Sequence, residues 1–446
     1  MNESMTAATT SSNASSATQT RRPWWRSIGP GLLTACVVIG PGSILTSSQV
    51  GAESGYSKMW VVFAAVIFML AYVKMASRLG AVTGRSTLDL VAERAGRWLA
   101  VMIGVSVFLI AALYQSGNNL GVHTALNEVS IMAVDAAENN LGIETGLKEH
   151  LPFRYWTVVF NALAILFVFG FHNLYSALEK LMMVLVAVML GAFAINLAFA
   201  RPDPATIWKE MIPRGGMSEF SLPLLGLVGT TFVIPAAFYQ SYLVRFKGWT
   251  VRDLRTGLTD ARVSALIMCV ITLMIMITAA AVLRGKELAN AADVANQLRP
   301  LFGDAGKLIF CLGLFAAAFS SFIINSMIGG FLLADSFHAG SMPRDRVPRV
   351  LTAAVLLTGM GMALFILSRD VKPVFAIVAA QAATVLAAPL LAATLLWLSN
   401  LKSVMGEYRN DWLTNVVGAT GLLAVIGFAI HIAVNRMLPE IQRMLE

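Results

Sequence analysis

The chain has 446 residues, 57% of them hydrophobic and only 13% charged, with a mean hydropathy of +0.70. A soluble chain of this length would carry roughly twice that charged fraction, so an ordinary soluble globular protein is excluded. The net charge of +8 does not point to nucleic acid, because the basic residues sit in alternate loops between apolar runs of ~20 residues and no soluble basic domain exists.

Residues 1–27 open with a Ser/Thr/Ala/Asn-rich stretch without apolar periodicity, which predicts a disordered tail. Arg21, Arg22 and Arg26 beside Trp24 and Trp25 predict a cytoplasmic amino end. Span one covers 28–54 and span two 57–80, the latter with Lys74 and Arg78 near its end as interfacial snorkelling residues. A basic loop with Arg85, Arg94 and Arg97 leads to span three, 98–117. The polar segment 118–152, with Glu128, Asp135, Glu138 and Glu144, reads as an outer loop. Spans four and five, 154–171 and 175–200, complete a first half.

The outer connection 201–220 carries Arg201, Lys209 and Arg214 and fits the charge rule poorly. Span six, 221–246, precedes the most basic loop, with Arg245, Lys247, Arg252, Arg255 and Arg262. Spans seven to eleven follow at 262–283, 306–335, 349–368, 373–398 and 413–437, with Arg344, Arg346 and Arg349 marking another inner loop. Glu53 and Asp335 fall at span ends and read as solvated.

Two of these spans are interrupted. Gly40-Pro41-Gly42-Ser43 and Ile234-Pro235-Ala236-Ala237 cannot continue a regular helix, because proline removes a donor and glycine favours other backbone angles. Irregular backbone at membrane depth is tolerated only where it is buried in protein or lines a cavity. Each break opens a five-span half, and an odd number of spans per half requires the halves to be inverted. The expected fold is therefore an all-α membrane protein with a 5+5 inverted repeat, 28–200 and 221–398, plus one further helix at 413–437. A protein of this kind is a secondary transporter whose site lies between the breaks, with Pro41, Gly42, Pro235 and Ala236 as break residues.

Around the first break the candidate ligands are the Gly40 carbonyl and the hydroxyls of Ser43, Ser47 and Ser48. Around the second they are the carbonyls of Thr231 and Ile234, with Tyr239, Gln240 and Ser241. Gln381, Ser320, Ser321 and Asn325 are further neutral candidates, or else interhelical hydrogen-bonding residues. Neither break holds a carboxylate, His, Met or Cys, the groups that hard and soft metal ions prefer. Cys36, Cys269 and Cys311 lie singly in apolar spans as packing residues. No nucleophile–base pair or cofactor motif is visible, so neither an enzyme nor a bound cofactor is expected.

The chain resembles the Nramp family of divalent metal-ion transporters. The motifs are Pro41-Gly42, Ile44, Gln49, Gly51-Ala52 and Gly55-Tyr56 in span one, with Trp60 beyond. Ser77-Arg78-Leu79-Gly80-Ala81-Val82-Thr83-Gly84 ends span two, and Leu178-Glu179-Lys180 opens span five. Ala318-Phe319-Ser320-Ser321 with Gly329-Gly330, and Gln381 with Pro389, complete the set over residues 28–396. The resemblance implies a LeuT-like fold, alternating access and metal-ion transport. The family's metal-binding Asp and Asn fall on Gly40 and Ser43, and its Met-Pro-His-Asn on Ile234-Pro235-Ala236-Ala237. Its acidic proton-path residues fall near Ala111 and Tyr114, and a further His near Ser241. The substrate-binding positions it implies are Gly40, Ser43, Thr231, Ile234 and Gln381, the first four also as metal contacts.

The expected function is metal-ion transport from a multi-pass position in a bacterial inner membrane, with a transported ion or solute and the lipid bilayer as partners. The alternatives are transport of a monovalent ion or small neutral solute, and a non-transporting sensor on the same fold. Nothing in the sequence bears on oligomeric state.

Overall fold

The computed structural model describes residues 30–141, 154–170, 174–212, 221–286, 288, 291–369 and 373–437; the predicted tail lies outside them. Span one is two half-helices, α1 (Pro30–Val38) and α2 (Pro41–Ser54). Then come α3 (Met59–Thr83), the short α4 (Thr87–Ala95), α5 (Arg97–Leu141), α6 (Arg154–Gly170) and α7 (Leu174–Ala200). The second half follows a short α8 (Pro204–Glu210), and its broken span is α9 (Leu222–Thr231) and α10 (Ile234–Lys247). It continues through α11 (Leu254–Val282), α12 (Ala291–Ser336), α13 (Arg346–Ser368), α14 (Pro373–Ala383) and α15 (Ala388–Asn400). After α16 (Lys402–Met405), α17 (Trp412–Ile432) closes the chain as described.

Among the described residues eight helices are long and apolar enough to cross a membrane. A ninth span is the pair Ile377–Leu386 and Ala388–Asn400, bent by 42°. The broken α1–α2 pair and the shorter apolar α6 complete the eleven expected spans, in the expected order. Burial sorts them. The apolar window of Leu222–Lys247 is 89% buried, against 28% for Arg346–Ser368 and 22% for Trp412–Asn435. Broken span six is therefore the centre of the bundle, and spans nine and eleven present most of their surface to lipid.

The loops gather at two ends. At one, the Arg245 guanidinium donates to the Gly84 carbonyl (3.1 Å) and to Ser341 (3.4 Å). Asp89 pairs there with Arg97 (3.5 Å) and His338 (3.1 Å). The basic loops after spans two, six and eight thus meet on one side. At the other end Glu210 pairs with Arg284 (3.1 Å), and Ser221 donates to Glu53 (3.3 Å).

Several expectations need correction. The first break falls at Ile39–Gly40 and the second at Phe232–Val233, each ahead of its proline rather than across it. The reason is that proline fits the first helical turn, where its missing N–H costs nothing, so Pro41 and Pro235 start half-helices. Pro41, Gly42, Ser43, Ile234 and Ala236 are therefore helical. Residues 118–141 are no outer loop but the continuation of α5, and Asn118, Asn119 and Glu128 are buried. Glu128 pairs with Lys307 of α12 at 2.6 Å. Asp335 is buried too, accepting from the Tyr242 hydroxyl at 2.5 Å. Lys74 and Arg78 meet Asp411 at 3.2 and 3.9 Å.

Candidate functional site

At the first break Gly40 is extended (φ −126°, ψ −180°). Its backbone is closed off locally. The Ser43 hydroxyl donates to the Gly40 carbonyl (3.0 Å) and accepts from the Gly40 N–H (3.2 Å), and the Ile44 N–H donates to the same carbonyl at 3.1 Å. Ser43 is thus the cap of α2, satisfying backbone groups the break would orphan. The Thr46 hydroxyl back-bonds to the Gly42 carbonyl (2.8 Å) and meets Thr230 of α9 at 3.4 Å.

What faces this break comes from three other helices. A Cβ built on Gly40 would lie 2.9 Å from Ser321 Oγ of α12 and 3.3 Å from Asn118 Oδ1 of α5. One on Gly42 would lie 2.2 Å from Gln381 Nε2 of α14, and one on Gly121 of α5 would meet the Pro41 ring at 2.3 Å. Gly121 of α5 lets the start of the half-helix lie directly against it, while Gly117, one turn earlier, faces Gln381 and Ile377 of α14. Asn118 Nδ2 donates to Gln115 Oε1 (3.2 Å) and to Ser321 Oγ (3.3 Å).

This cluster is buried but not satisfied. Asn118 Oδ1, Gln115 Nε2 and Gln381 Oε1 are enclosed and have no hydrogen-bond partner, as are the hydroxyls of Ser47 and Thr231. Each such group costs about 1–3 kcal/mol relative to a paired one, so several of them in this buried region are a feature that needs a physical reason.

The second break is built differently. Phe232 N–H closes α9 on the Val228 carbonyl at 2.8 Å, while the Ala236 and Ala237 N–H groups share the Val233 carbonyl at 3.1 Å. The Phe232 ring packs on Phe68 and Tyr72, with centroids at 5.7 and 5.5 Å. Val385, Ala388 and Val425 line the small cavity beside it. Ile234 is fully buried in the apolar core. One turn earlier, the Tyr114 hydroxyl of α5 donates to the Gly229 carbonyl at 2.7 Å.

Gln381 lies between the two breaks. Its amide reaches Gly42, and its backbone carbonyl would be 2.6 Å from a Cβ on Gly229. Of the sequence candidates, Gly40, Gly42, Ser321 and Gln381 therefore come together. Ser43 caps. Gln240 ties Thr34 (2.5 Å) to Ser77 (3.2 Å), Ser241 meets Thr87 (2.6 Å), and Asn325 donates to the Ala111 carbonyl (3.0 Å). These last three are interhelical ties away from the gap. Of two residues unnoticed in the sequence, Asn118 lies just past the expected end of span three at residue 117, and Gln115 lies inside that span beside the polar run that follows it. The signal was the Gly117–Gly121 spacing on a run still compatible with helix. Among the described residues no group of three His, Cys, Asp or Glu is arranged to hold a metal ion.

The model of the natural resistance-associated macrophage protein-like family matches residues 31–435. A divalent metal cation transporter MntH from Verminephrobacter eiseniae is 25% identical over 409 residues, covering 90% of this chain and 87% of that protein. A mutant of the Eremococcus coleocola manganese transporter superposes with a TM-score of 0.74 at 18% identity, over 93% of this chain and 88% of that one. MhsT in complex with L-phenylalanine superposes with a TM-score of 0.60 at 16% identity, over 90% of this chain and 98% of that one. At such identities the structural likenesses establish the fold, which is the inverted 5+5 repeat with an additional helix.

Proposed function

The chain belongs to the Nramp family, a family of multi-pass membrane transporters, and from that premise we propose that it carries divalent metal cations across a membrane by alternating access. The observation that supports this best is Gln381 lying between the half-helices beside the two breaks, at Gly42 and Gly229, with one unpartnered carboxamide atom on each of Gln115 and Asn118 of the neighbouring α5. Buried polar atoms without partners beside a helix break, at the centre of an apolar bundle, fit the place where a transporter of this architecture holds its cargo. The curated relative named as a divalent metal cation transporter supports the cargo class. Family membership favours it over a monovalent ion, a neutral solute or a signalling role, and over catalysis.

The convergence of basic loops at the Arg245 end supports an orientation with that end, and the amino terminus, in the cytoplasm. A bacterial inner membrane fits that bias. The halves 28–200 and 221–398 are the two moving repeats on this reading, with 413–437 outside them. Purified protein in liposomes should take up manganese, iron or magnesium faster than protein-free liposomes. The absence of protein-dependent flux for all three would remove the metal assignment.

A further inference from the structure

We propose that the cargo is held by side-chain carboxamides brought in from α5 and α14, chiefly Asn118 Oδ1, which faces the position where Gly40 carries no side chain, and Gln381 Oε1, whose amide lies against Gly42. The inference rests on the cargo reading above and names its ligands. Asn118 Oδ1 and Ser321 Oγ lie 3.3 and 2.9 Å from where a Cβ on Gly40 would stand. A longer side chain projecting from position 40 would enter the volume these two residues fill. Glycine there and an amide on α5 are thus complementary: the polar group facing the break comes from a neighbouring helix instead of the broken one.

The two amide oxygens are the right kind of group. Both residues are buried, 1% exposed each, and the amide oxygen of each has no hydrogen-bond partner. The Asn118 nitrogen is already committed to Gln115 and Ser321. That commitment fixes the amide orientation, with the acceptor pointing away from its own hydrogen bonds. Carboxamide oxygens are hard, neutral donors of the type that coordinates magnesium, calcium and manganese. No thioether or thiolate stands beside them at either break, so softness gives no advantage. Without a formal negative charge the site binds weakly, as oxygen sites with few charged ligands do.

The geometry also separates two ways of adding a charge. Asn118→Asp is isosteric and puts a carboxylate oxygen where the orphaned amide oxygen is. Gly40→Asp adds the same charge on the broken helix but must displace Ser321 and Asn118. The test is calorimetric titration of the detergent-purified full chain with magnesium, calcium, manganese and cadmium. Asn118→Asp is expected to tighten manganese binding by about tenfold or more, since a charge replaces a neutral oxygen at contact distance. Asn118→Leu and Gln381→Met, which keep the volume and remove the acceptor, are expected to weaken it at least about tenfold. Gly40→Asp alone is expected to gain less than Asn118→Asp, and to recover when combined with Asn118→Ala.

Unchanged affinity in Asn118→Leu and Gln381→Met would overturn the assignment while leaving metal transport standing. So would a Gly40→Asp protein that binds as tightly as Asn118→Asp, or a wild type that prefers cadmium by tenfold over manganese. A wild type that binds none of the four ions would overturn the cargo reading itself, and this assignment with it. Because Asn118→Asp and Asn118→Leu preserve side-chain volume, a loss of folding in Gly40→Asp does not block the test.

Discussion

The two helix breaks use the same device in different surroundings. Each is a two-residue interruption followed by a proline that starts the second half-helix. At the first, a serine hydroxyl closes the backbone and the facing residues are Asn118, Ser321 and Gln381. At the second, Phe232 packs on Phe68 and Tyr72, and the cavity wall is Val385, Ala388 and Val425. Glycine and proline decide where a helix must stop. What a stop is for is decided by the helices that face it. Polar neighbours surround the first break, which on the reading proposed above holds the cargo, and aromatic and aliphatic neighbours pack the second.

The strongest way to break this contrast is Phe232→Ala. The ring is 3% exposed, and removing a buried aromatic costs about 3–5 kcal/mol. Denaturation in detergent should show that loss, while the affinity of the folded fraction for manganese stays within about twofold. A large affinity change would mean the second break also shapes the ligand. Tyr114→Phe comes next. It leaves the Gly229 carbonyl without its hydroxyl partner and should cost about 1–3 kcal/mol, the penalty for an unmade buried hydrogen bond. Ser43→Ala tests the other side. Loss of its two hydrogen bonds to Gly40 should cost about 0.5–1.5 kcal/mol, since the Gly40 N–H keeps the Val38 carbonyl and the Gly40 carbonyl keeps the Ile44 N–H, and because Gly40 faces Asn118 and Ser321, ion affinity should change along with stability. If Ser43→Ala moved stability alone, the cap would be independent of the site.

Most of the scaffold was legible before any coordinates. Apolar length revealed the spans, and alternating basic loops revealed which ends gather together. The motif spacing of Pro41, Gln49, Gly51 and Tyr56 revealed the family. The site was legible only in part. Gly40 and Gln381 were found because a break and an isolated amide stand out in an apolar run. Asn118 was hidden because its polarity marks the expected end of span three instead of an inward face of a longer helix, and Gln115, inside the expected span, because it sits beside the polar run that follows it. Asp335 was hidden for a related reason: a carboxylate at a span end is usually solvated, and only the tertiary approach of Tyr242 shows otherwise. Local composition reports where water is tolerated, and it does not report which neighbour a buried polar atom will find.

The mildest test concerns α17, which packs beside the second break. Its Gly418 carbonyl accepts from the Tyr72 hydroxyl at 2.8 Å, and a Cβ on Gly421 would lie 3.2 Å from the Phe232 ring. The start of α17 is held by Asp411, which accepts from Thr414 and pairs with Lys74 at 3.2 Å. The Thr414 hydroxyl, and then Lys74, hold this carboxyl below its usual range. A lowered carboxylate pKa contributes stability that is present above the ordinary carboxylate range and lost as pH falls through the folded value. The stabilisation should therefore be complete at neutral pH and fade below about pH 4. Asp411 is 55% exposed, so the whole effect is at most about 1 kcal/mol. Asp411→Asn should remove that acid dependence from the denaturation midpoint. Since α17 packs beside the second break, the variant should slow ion flux in liposomes without weakening ion binding. A weaker affinity at unchanged flux would reverse the roles assigned to the two breaks.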